Sequence, residues 1–547
     1  KTYLNIDLKS RKKLTTEQDE AMKSVLFKKN SKEVFLLNGI TGSGKTEVYL
    51  RVIEELINHG KQALILIPEI GLAPQAEERF QRYFGNSVAS FHSAKSEREK
   101  LDVWLGAKRG HFNIVIGTRS SVFTPMKNPG LIVIDEEHDL SFKQTDRFRY
   151  SARDLALYRA KIERIPVILS SATPSLETLQ NGLEKKYSIL RLTKRATGIS
   201  LPKFMPVDLR NQELKEGLSL ELLDSMSNEL KDNNQVLIFL NRRGFAPCLI
   251  CDSCGWISSC SKCDANMTVH QQPRGLQCHH CESRIMFPEE CPSCSNQKFI
   301  SYGLGTERIE SFLKQKFTHF PVMRIDRDST KQKNSFAEFY KTIKKGRPAI
   351  LIGTQLLAKG HHFPNVTLVG ILDADAGLFS ADFRGSEKAG QLIIQVAGRA
   401  GRENKKGKVI VQTFCPEHPQ ISQLLRGNYE EFALKLINER SRFKSPPFSF
   451  QAKILAESLD SSISNKFLNK LWNLTSETRP TPSNIKVIGP LPSLMEKKLG
   501  FFRWELNIYS ENRKSLHSVL DVIESILYKT PTPTKVRWSI DVDPIAL

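Results

Sequence analysis

The sequence predicts an α/β protein of two parallel-sheet lobes, with a cysteine-rich double metal module inserted in the second lobe and a small α/β domain at the C-terminal end. Three observations predict it. Two trains of short apolar runs alternate with helix-length stretches, nine of the ten cysteines crowd between Cys248 and Cys294, and the texture changes after Ser445-Pro446-Pro447. The first train is residues 33–38, 62–68, 112–118, 131–135 and 166–171; the second is 235–240, 322–326, 349–354, 366–373 and 408–414. Near-continuous apolar runs mark strands buried on both faces of a parallel sheet. Such trains place lobe one at 1–195 and start lobe two at 196–247; the metal module takes 248–300, lobe two resumes over 301–440, and the last domain is 441–547. The cysteine segment is expected between the first two strands of lobe two.

Length and charge narrow the class. At 547 residues the chain can hold several domains with real cores, and 40% hydrophobic with 25% charged residues is ordinary globular composition. No run of 18 apolar residues predicts a membrane span. The first residue is Lys1, not Met, so a fragment or processed product is expected; no signal peptide is recognisable, and a cytoplasmic address follows. The excess of 80 Lys+Arg over 59 Asp+Glu gives +21, which favours a polyanionic partner such as nucleic acid. Each tetrathiolate zinc site carries −2, so two would lower the total only to +17.

A phosphate site comes first in the chain. Gly39-Ile40-Thr41-Gly42-Ser43-Gly44-Lys45-Thr46 fits G-x-x-x-x-G-K-[ST], after a strand and before a helix. Its glycines let backbone N–H groups close on the β-phosphate; Lys45 would reach the β- and γ-phosphates of ATP, and the Thr46 hydroxyl would ligate Mg²⁺. The run Leu131-Ile132-Val133-Ile134 then delivers Asp135 and Glu136 to a strand end. Asp135 would hold Mg²⁺ through water, and Glu136 would orient or deprotonate the attacking water. In lobe two, Gln395–Arg402 supplies Arg399 and Arg402, which in a helical start would lie on one face and could reach across to the γ-phosphate.

Taken together, Gly39–Thr46, Asp135–His138, Ser171-Ala172-Thr173 and Gln395–Arg402 resemble motifs I, II, III and VI of superfamily 2 helicases. Asp135–Asp139, Asn241–Pro247, the cysteine pairs, Gly353–Pro364 and Leu378–Arg384 narrow the resemblance to the PriA family of replication-restart helicases, over nearly the whole chain. The resemblance implies two RecA-like lobes and an ATP-dependent 3′→5′ DNA helicase that remodels stalled or abandoned forks and initiates primosome assembly. A non-catalytic loading platform and a double-stranded DNA translocase without unwinding are the alternatives. It further implies forked and single-stranded DNA, single-strand-binding protein and other primosome proteins as partners, a monomer, and a bacterial cytoplasm. The family's two N-terminal DNA-binding domains have no counterpart before Leu14.

The resemblance also assigns contacts. Gln18, with Leu14 and Thr15, would read adenine, although Thr15 or Thr16 could simply cap a helix. Arg119 in lobe one, and Thr354, Gln355 and Lys359 in lobe two, would touch the tracking strand. The segment Phe142, Lys143, Arg147, Phe148, Arg149 and Tyr150 interleaves aromatics with cations, which suits base stacking and phosphate neutralisation. An ordinary core anchor is the competing reading.

The cysteine pairs Cys251/Cys254, Cys260/Cys263, Cys278/Cys281 and Cys291/Cys294 supply eight thiolates, enough for two structural Zn²⁺ without an open position. Spacing alone permits three pairings. The inner pairs suit one ribbon hairpin and leave the outer pairs for the second ion; the family arrangement is the same nested one. Thus Cys251, Cys254, Cys291 and Cys294 would hold one zinc, and Cys260, Cys263, Cys278 and Cys281 the other. Cys248 and Cys415 read as buried thiols.

Overall fold

The computed structural model describes residues 13–545 except 30, 69–72, 211, 241–247, 252, 255, 263–265, 272–273, 279–282, 303–305, 326–342, 344, 359–362, 364, 378–381, 402–404, 479, 481 and 530–533. The first lobe is a parallel seven-stranded sheet: β1 (Val34–Gly39), β2 (Gln62–Leu66), β3 (Val88–Phe91), β4 (Ile114–Gly117), β5 (Pro129–Asp135), β6 (Val167–Ser171) and β7 (Ser188–Leu192). Its order is β3-β4-β2-β5-β6-β1-β7. β5, β6 and β1 are therefore neighbours, and their C-terminal ends carry the acidic motif, Ser171–Thr173 and the phosphate loop side by side.

Lobe two opens with β8 (Lys203–Asp208), a short hairpin β9 (Leu214–Lys215) and β10 (Leu218–Ser219), and the central β11 (Gln235–Leu240). The cysteine module is a five-stranded antiparallel ribbon: β12 (Cys248–Cys251), β13 (Thr268–Gln271), β14 (Arg274–Gln277), β15 (Arg284–Ile285) and β16 (Phe299–Tyr302). The lobe resumes with β17 (Val322–Ile325), β18 (Ala349–Gly353), β19 (Val366–Leu372) and β20 (Lys408–Thr413). The parallel order is β17-β18-β11-β19-β20-β8. Every residue of β2, β11 and β19 is buried, as double-faced burial demands.

Three strands of the two parallel sheets escaped the periodicity reading: β3, β7 and β8. Each lies at a sheet edge. An edge strand has a neighbour on one side only and tolerates polar residues or proline; β8 carries Lys203 and Pro206, and β7 carries exposed Arg191. Because β8 precedes β11 in the same sheet, the cysteine module lies after β11 and before β17, not between the lobe's first two strands.

The C-terminal domain is an antiparallel sheet of β21 (Phe450–Ser458), β22 (Ile485–Lys498), β23 (Phe501–Ser510) and β24 (Arg537–Val542), in the order β22-β23-β21-β24. Helices Ser461–Thr478 and Arg513–Lys529 bury Leu468, Leu471, Leu516 and Ile523 against Ile454, Leu506 and Ile508. Its β22–β23 turn docks on the metal module: Gly500 N donates to Lys262 O at 2.8 Å, and Lys497 Nζ to Ser261 O at 3.3 Å. Among the described residues no helix is long and apolar enough to cross a membrane.

Candidate active site

The phosphate loop leaves β1 and enters the helix Lys45–Asn58 through two left-handed glycines, Gly42 (φ +86°) and Gly44 (φ +80°). A Cβ on Gly44 would come within 2.4 Å of Gln18 Nε2, so side chain and backbone both demand glycine there. Gln18 is buried and performs two tasks. Its Oε1 accepts from Thr15 N at 2.9 Å in a capping box, and its Nε2 donates to Ser43 O at 2.7 Å. The helix-cap reading therefore holds, and the same amide braces the phosphate loop. Lys45 Nζ donates to Gly39 O at 2.7 Å. Ser43 Oγ is buried without a hydrogen-bond partner among the described residues. A glycine cradle, an ammonium and an unsatisfied hydroxyl suit a phosphate; Thr46 and Asp135 offer the hard oxygens that Mg²⁺ prefers.

The acidic motif separates two glutamates by environment. Asp135 accepts from Ser170 Oγ at 3.0 Å and from Tyr49 Oη at 3.3 Å. Burial, then the Glu136 charge, pushes its carboxyl above the usual range against the pull of Lys45. Glu136 has a left-handed φ of +49°, which turns it off the strand path, and sits 3.7 Å from His138 Nδ1. Glu137 is 1% exposed and accepts from Ser175 N (2.8 Å), Ser175 Oγ (3.1 Å), Thr178 Oγ1 (2.8 Å) and Arg153 Nη1 (3.2 Å). Glu137 is a structural staple, whereas Glu136 Oε2 is buried without a hydrogen-bond partner among the described residues.

His138 links the motifs across the cleft. Its Nδ1 pairs with Ser171 Oγ at 2.7 Å, and its Nε2 meets Thr173 Oγ1 at 3.5 Å and the amide of Gln395 from lobe two. Gln395 also donates to Thr173 Oγ1 at 3.3 Å. Two residues flanking Arg399 close the wall: a Cβ on Gly398 would meet Thr41 at 2.6 Å, and Gly401 O accepts from Arg195. Arg399 itself is buried, while Arg402 lies outside the described residues. Charged pairs extend the seam. Arg384 reaches Glu177 at 2.7 Å, and Glu387 accepts from Leu176 N at 3.1 Å and from Arg440 at 2.7 Å. Burial raises the Glu177 carboxyl, but Arg384, Arg153 and Arg440 overcome it and hold it down to about 2.

The expected DNA contacts divide. Phe142 is 2% exposed inside the lobe-one core, so it is a packing residue and not a base-stacking one. Lys143 is also committed elsewhere: it pairs with Asp541 at 2.8 Å and donates to Val542 O at 2.6 Å, tying lobe one to the C-terminal domain. Arg119 donates to the carbonyls of Ser141 and Lys143 at 3.3 and 3.1 Å, shaping the base of this segment. Phe148 is 69% exposed at its tip, 5.6 Å from the half-buried Tyr150 ring, beside exposed Arg147 and the part-buried Arg149. Thr354 and Gln355 are half-buried at the end of β18; Lys359 is outside the described residues. Phe142→Ala is expected to cost about 3–5 kcal/mol of stability by leaving a core cavity, read as a lower thermal midpoint without a change in DNA-binding mode.

In the ribbon, the sulfurs of Cys251, Cys254, Cys291 and Cys294 lie within 4.8 Å of one another, two pairs at 3.6 Å. A tetrahedron with Zn–S of about 2.3 Å has edges of about 3.8 Å, so this donor set fits zinc and joins the outer pairs. Ser293 N points at Cys291 Sγ, and the Trp256 amide favours the Cys254 thiolate, lowering its pKa from the ordinary value. Lys262 N aims at Cys260 Sγ in the same way, and Cys260 and Cys278 are buried together; Cys263 and Cys281 fall outside the described residues. Trp256 stacks edge-on against Phe299 at 6.3 Å and packs the ribbon.

Sequence reasoning missed Glu137, Arg195 and Tyr49, whose roles rest on partners far along the chain. Family models match as DEAD/DEAH box helicase over residues 15–181, PriA DNA helicase Cys-rich region over 260–285, helicase conserved C-terminal domain over 287–404, and primosomal protein N C-terminal domain over 441–545. The replication restart protein PriA of Haemophilus influenzae is 44% identical over 98% of this chain and 73% of that protein. Those of Rickettsia conorii and Bacillus subtilis are each 36% identical, over 96% and 97% of this chain and 80% and 66% of those proteins. Two parallel-sheet lobes meeting over a phosphate loop, matched by both helicase family models and by the PriA relatives, mark an ATP-dependent DNA helicase. Within that class the chain belongs to the replication restart protein PriA family.

Proposed function

We propose that this chain is the ATP-driven 3′→5′ motor of replication restart, acting on stalled or abandoned forks and initiating primosome assembly. The carrying observation is the His138–Thr173–Gln395 contact, which joins the acidic motif, Ser171–Thr173 and lobe two beside the phosphate loop. ATP with Mg²⁺ supplies the phosphoryl group. Lys45 and the loop amides hold its phosphates, Glu136 orients the attacking water, and Arg399 with Arg402 closes the opposite wall. A shift between open and closed lobes then changes the grip on one strand. Intact Lys45, Asp135, Glu136 and Arg399 favour a working motor over a passive loading platform.

Single-stranded and forked DNA are the proposed substrates, gripped by the Phe148 tip with Arg147 and Arg149, and by Thr354, Gln355 and Lys359 from lobe two. Primosome proteins and single-strand-binding protein are the proposed protein partners, and a monomer in the bacterial cytoplasm the working state. Phe148→Ala is expected to keep basal ATPase and lose most of the DNA stimulation, because stacking on one base contributes about 1–3 kcal/mol. Unchanged stimulation by single strands would remove the tip from the DNA path.

Two structural Zn²⁺ are proposed for the ribbon, with Cys263 and Cys281 completing the second set. Their place is scaffolding, since eight thiolates leave no open position. Cys260→Ser is expected to impair strand displacement while sparing ATP turnover. Equal loss of both activities in a folded variant contradicts that division. ATP turnover with and without forked duplex, followed by strand displacement from either strand polarity, tests the whole reading.

A further inference from the structure

One buried hydroxyl in the cleft belongs to neither of its two motifs. Tyr49 stands one helical turn beyond Lys45, 2% exposed, with its ring stacked on Phe80 at 6.3 Å and 13° between planes. Its Oη donates to Asp135 Oδ2 at 3.3 Å. Asp135 and Thr46 come from different elements, the end of β5 and the start of the helix. Thr46 would ligate the magnesium directly, and Asp135 would hold it through water. Tyr49 therefore braces Asp135 from a ring that Phe80 keeps in place.

We propose that Tyr49 is a positioning residue for the Mg²⁺ of bound nucleotide. Its hydroxyl sets the Asp135 rotamer, so that this carboxylate is arranged before metal arrives. With Ser170 Oγ on Oδ1 and Tyr49 Oη on Oδ2, both carboxylate oxygens are oriented. Partners of this kind behind metal-associated carboxylates typically change metal affinity by 10- to 100-fold. A phenylalanine would fill nearly the same space and stack on Phe80, yet leave Oδ2 without its donor. The inference rests on the phosphate-loop reading of Lys45 and Thr46.

The test titrates Mg²⁺ against a fluorescent ATP analogue bound to the full chain, beside ATP turnover at each Mg²⁺ concentration. Tyr49→Phe is expected to bind the analogue as wild type does in EDTA, showing an intact loop. Its Mg²⁺ midpoint should rise roughly 10-fold. Turnover should fall at low Mg²⁺ and recover substantially when Mg²⁺ saturates. In Asp135→Asn the magnesium-dependent gain in analogue affinity should be lost, and adding Tyr49→Phe should cost nothing further. An unchanged midpoint in Tyr49→Phe, a turnover loss equal at all Mg²⁺ concentrations, or an added loss in the double variant overturns the proposal. If Lys45→Ala binds the analogue normally in EDTA, the phosphate-loop reading fails first, and this one with it.

Discussion

Glu136→Gln should bind ATP and DNA at near wild-type affinity yet turn over ATP about 10²–10⁴-fold more slowly. The amide keeps the volume and removes the base. Glu136 stands at a left-handed φ with one oxygen 3.7 Å from His138, while its neighbour Glu137 is saturated by Ser175, Thr178 and Arg153. The same exchange at Glu137 should therefore act on folding. An amide there leaves Arg153 facing a neutral group and loses about 1–3 kcal/mol of charge-assisted hydrogen bonding. Steady-state turnover with parallel thermal denaturation separates the two glutamates. Lys45→Ala should fail earlier still, at nucleotide binding, because its ammonium is the cation that the loop brings to the phosphates.

Arg399→Ala is expected to leave nucleotide binding largely intact and to slow hydrolysis by about 10³-fold or more, the usual contribution of an arginine that meets the transferring phosphoryl group from the far wall. Its chain neighbours pack against lobe one. Gly398 is packed against Thr41 of the phosphate loop, and Gly401 is bonded by Arg195 from the segment between the lobes. Single-turnover hydrolysis on preformed complexes isolates the chemical step from binding. A lysine at 399 should restore little, since a point charge does not reproduce the guanidinium fork.

What the sequence made legible follows burial and locality. Strands sheathed on both faces, such as β2, β11 and β19, write themselves as apolar runs; the edge strands β3, β7 and β8 do not, because one side of each lacks a neighbour. The phosphate loop was readable because its chemistry is contiguous from Gly39 to Thr46. Gln18 was half readable: the cap is local, but its bond to Ser43 spans 25 positions. Spacing could not sort Phe142 from Phe148, since both sit among cations and only tertiary packing buries the first. Nor could it reveal that Lys143 is claimed by Asp541, nearly four hundred residues later. Two adjacent glutamates look alike in sequence; the partners of Glu137 come from the loop and helix after β6. Spacing alone leaves the cysteine pairs three ways to join; the nested reading puts the outer pairs together, and their sulfurs do cluster.

Displacement of a labelled strand from a forked duplex, compared between wild type and Arg399→Ala with ATP present, probes most directly whether the seam between the lobes powers unwinding. Wild type should release the strand while the variant, still holding ATP and DNA, leaves the fork paired. Strand release by the variant at the wild-type rate would mean that the force arises somewhere other than this seam.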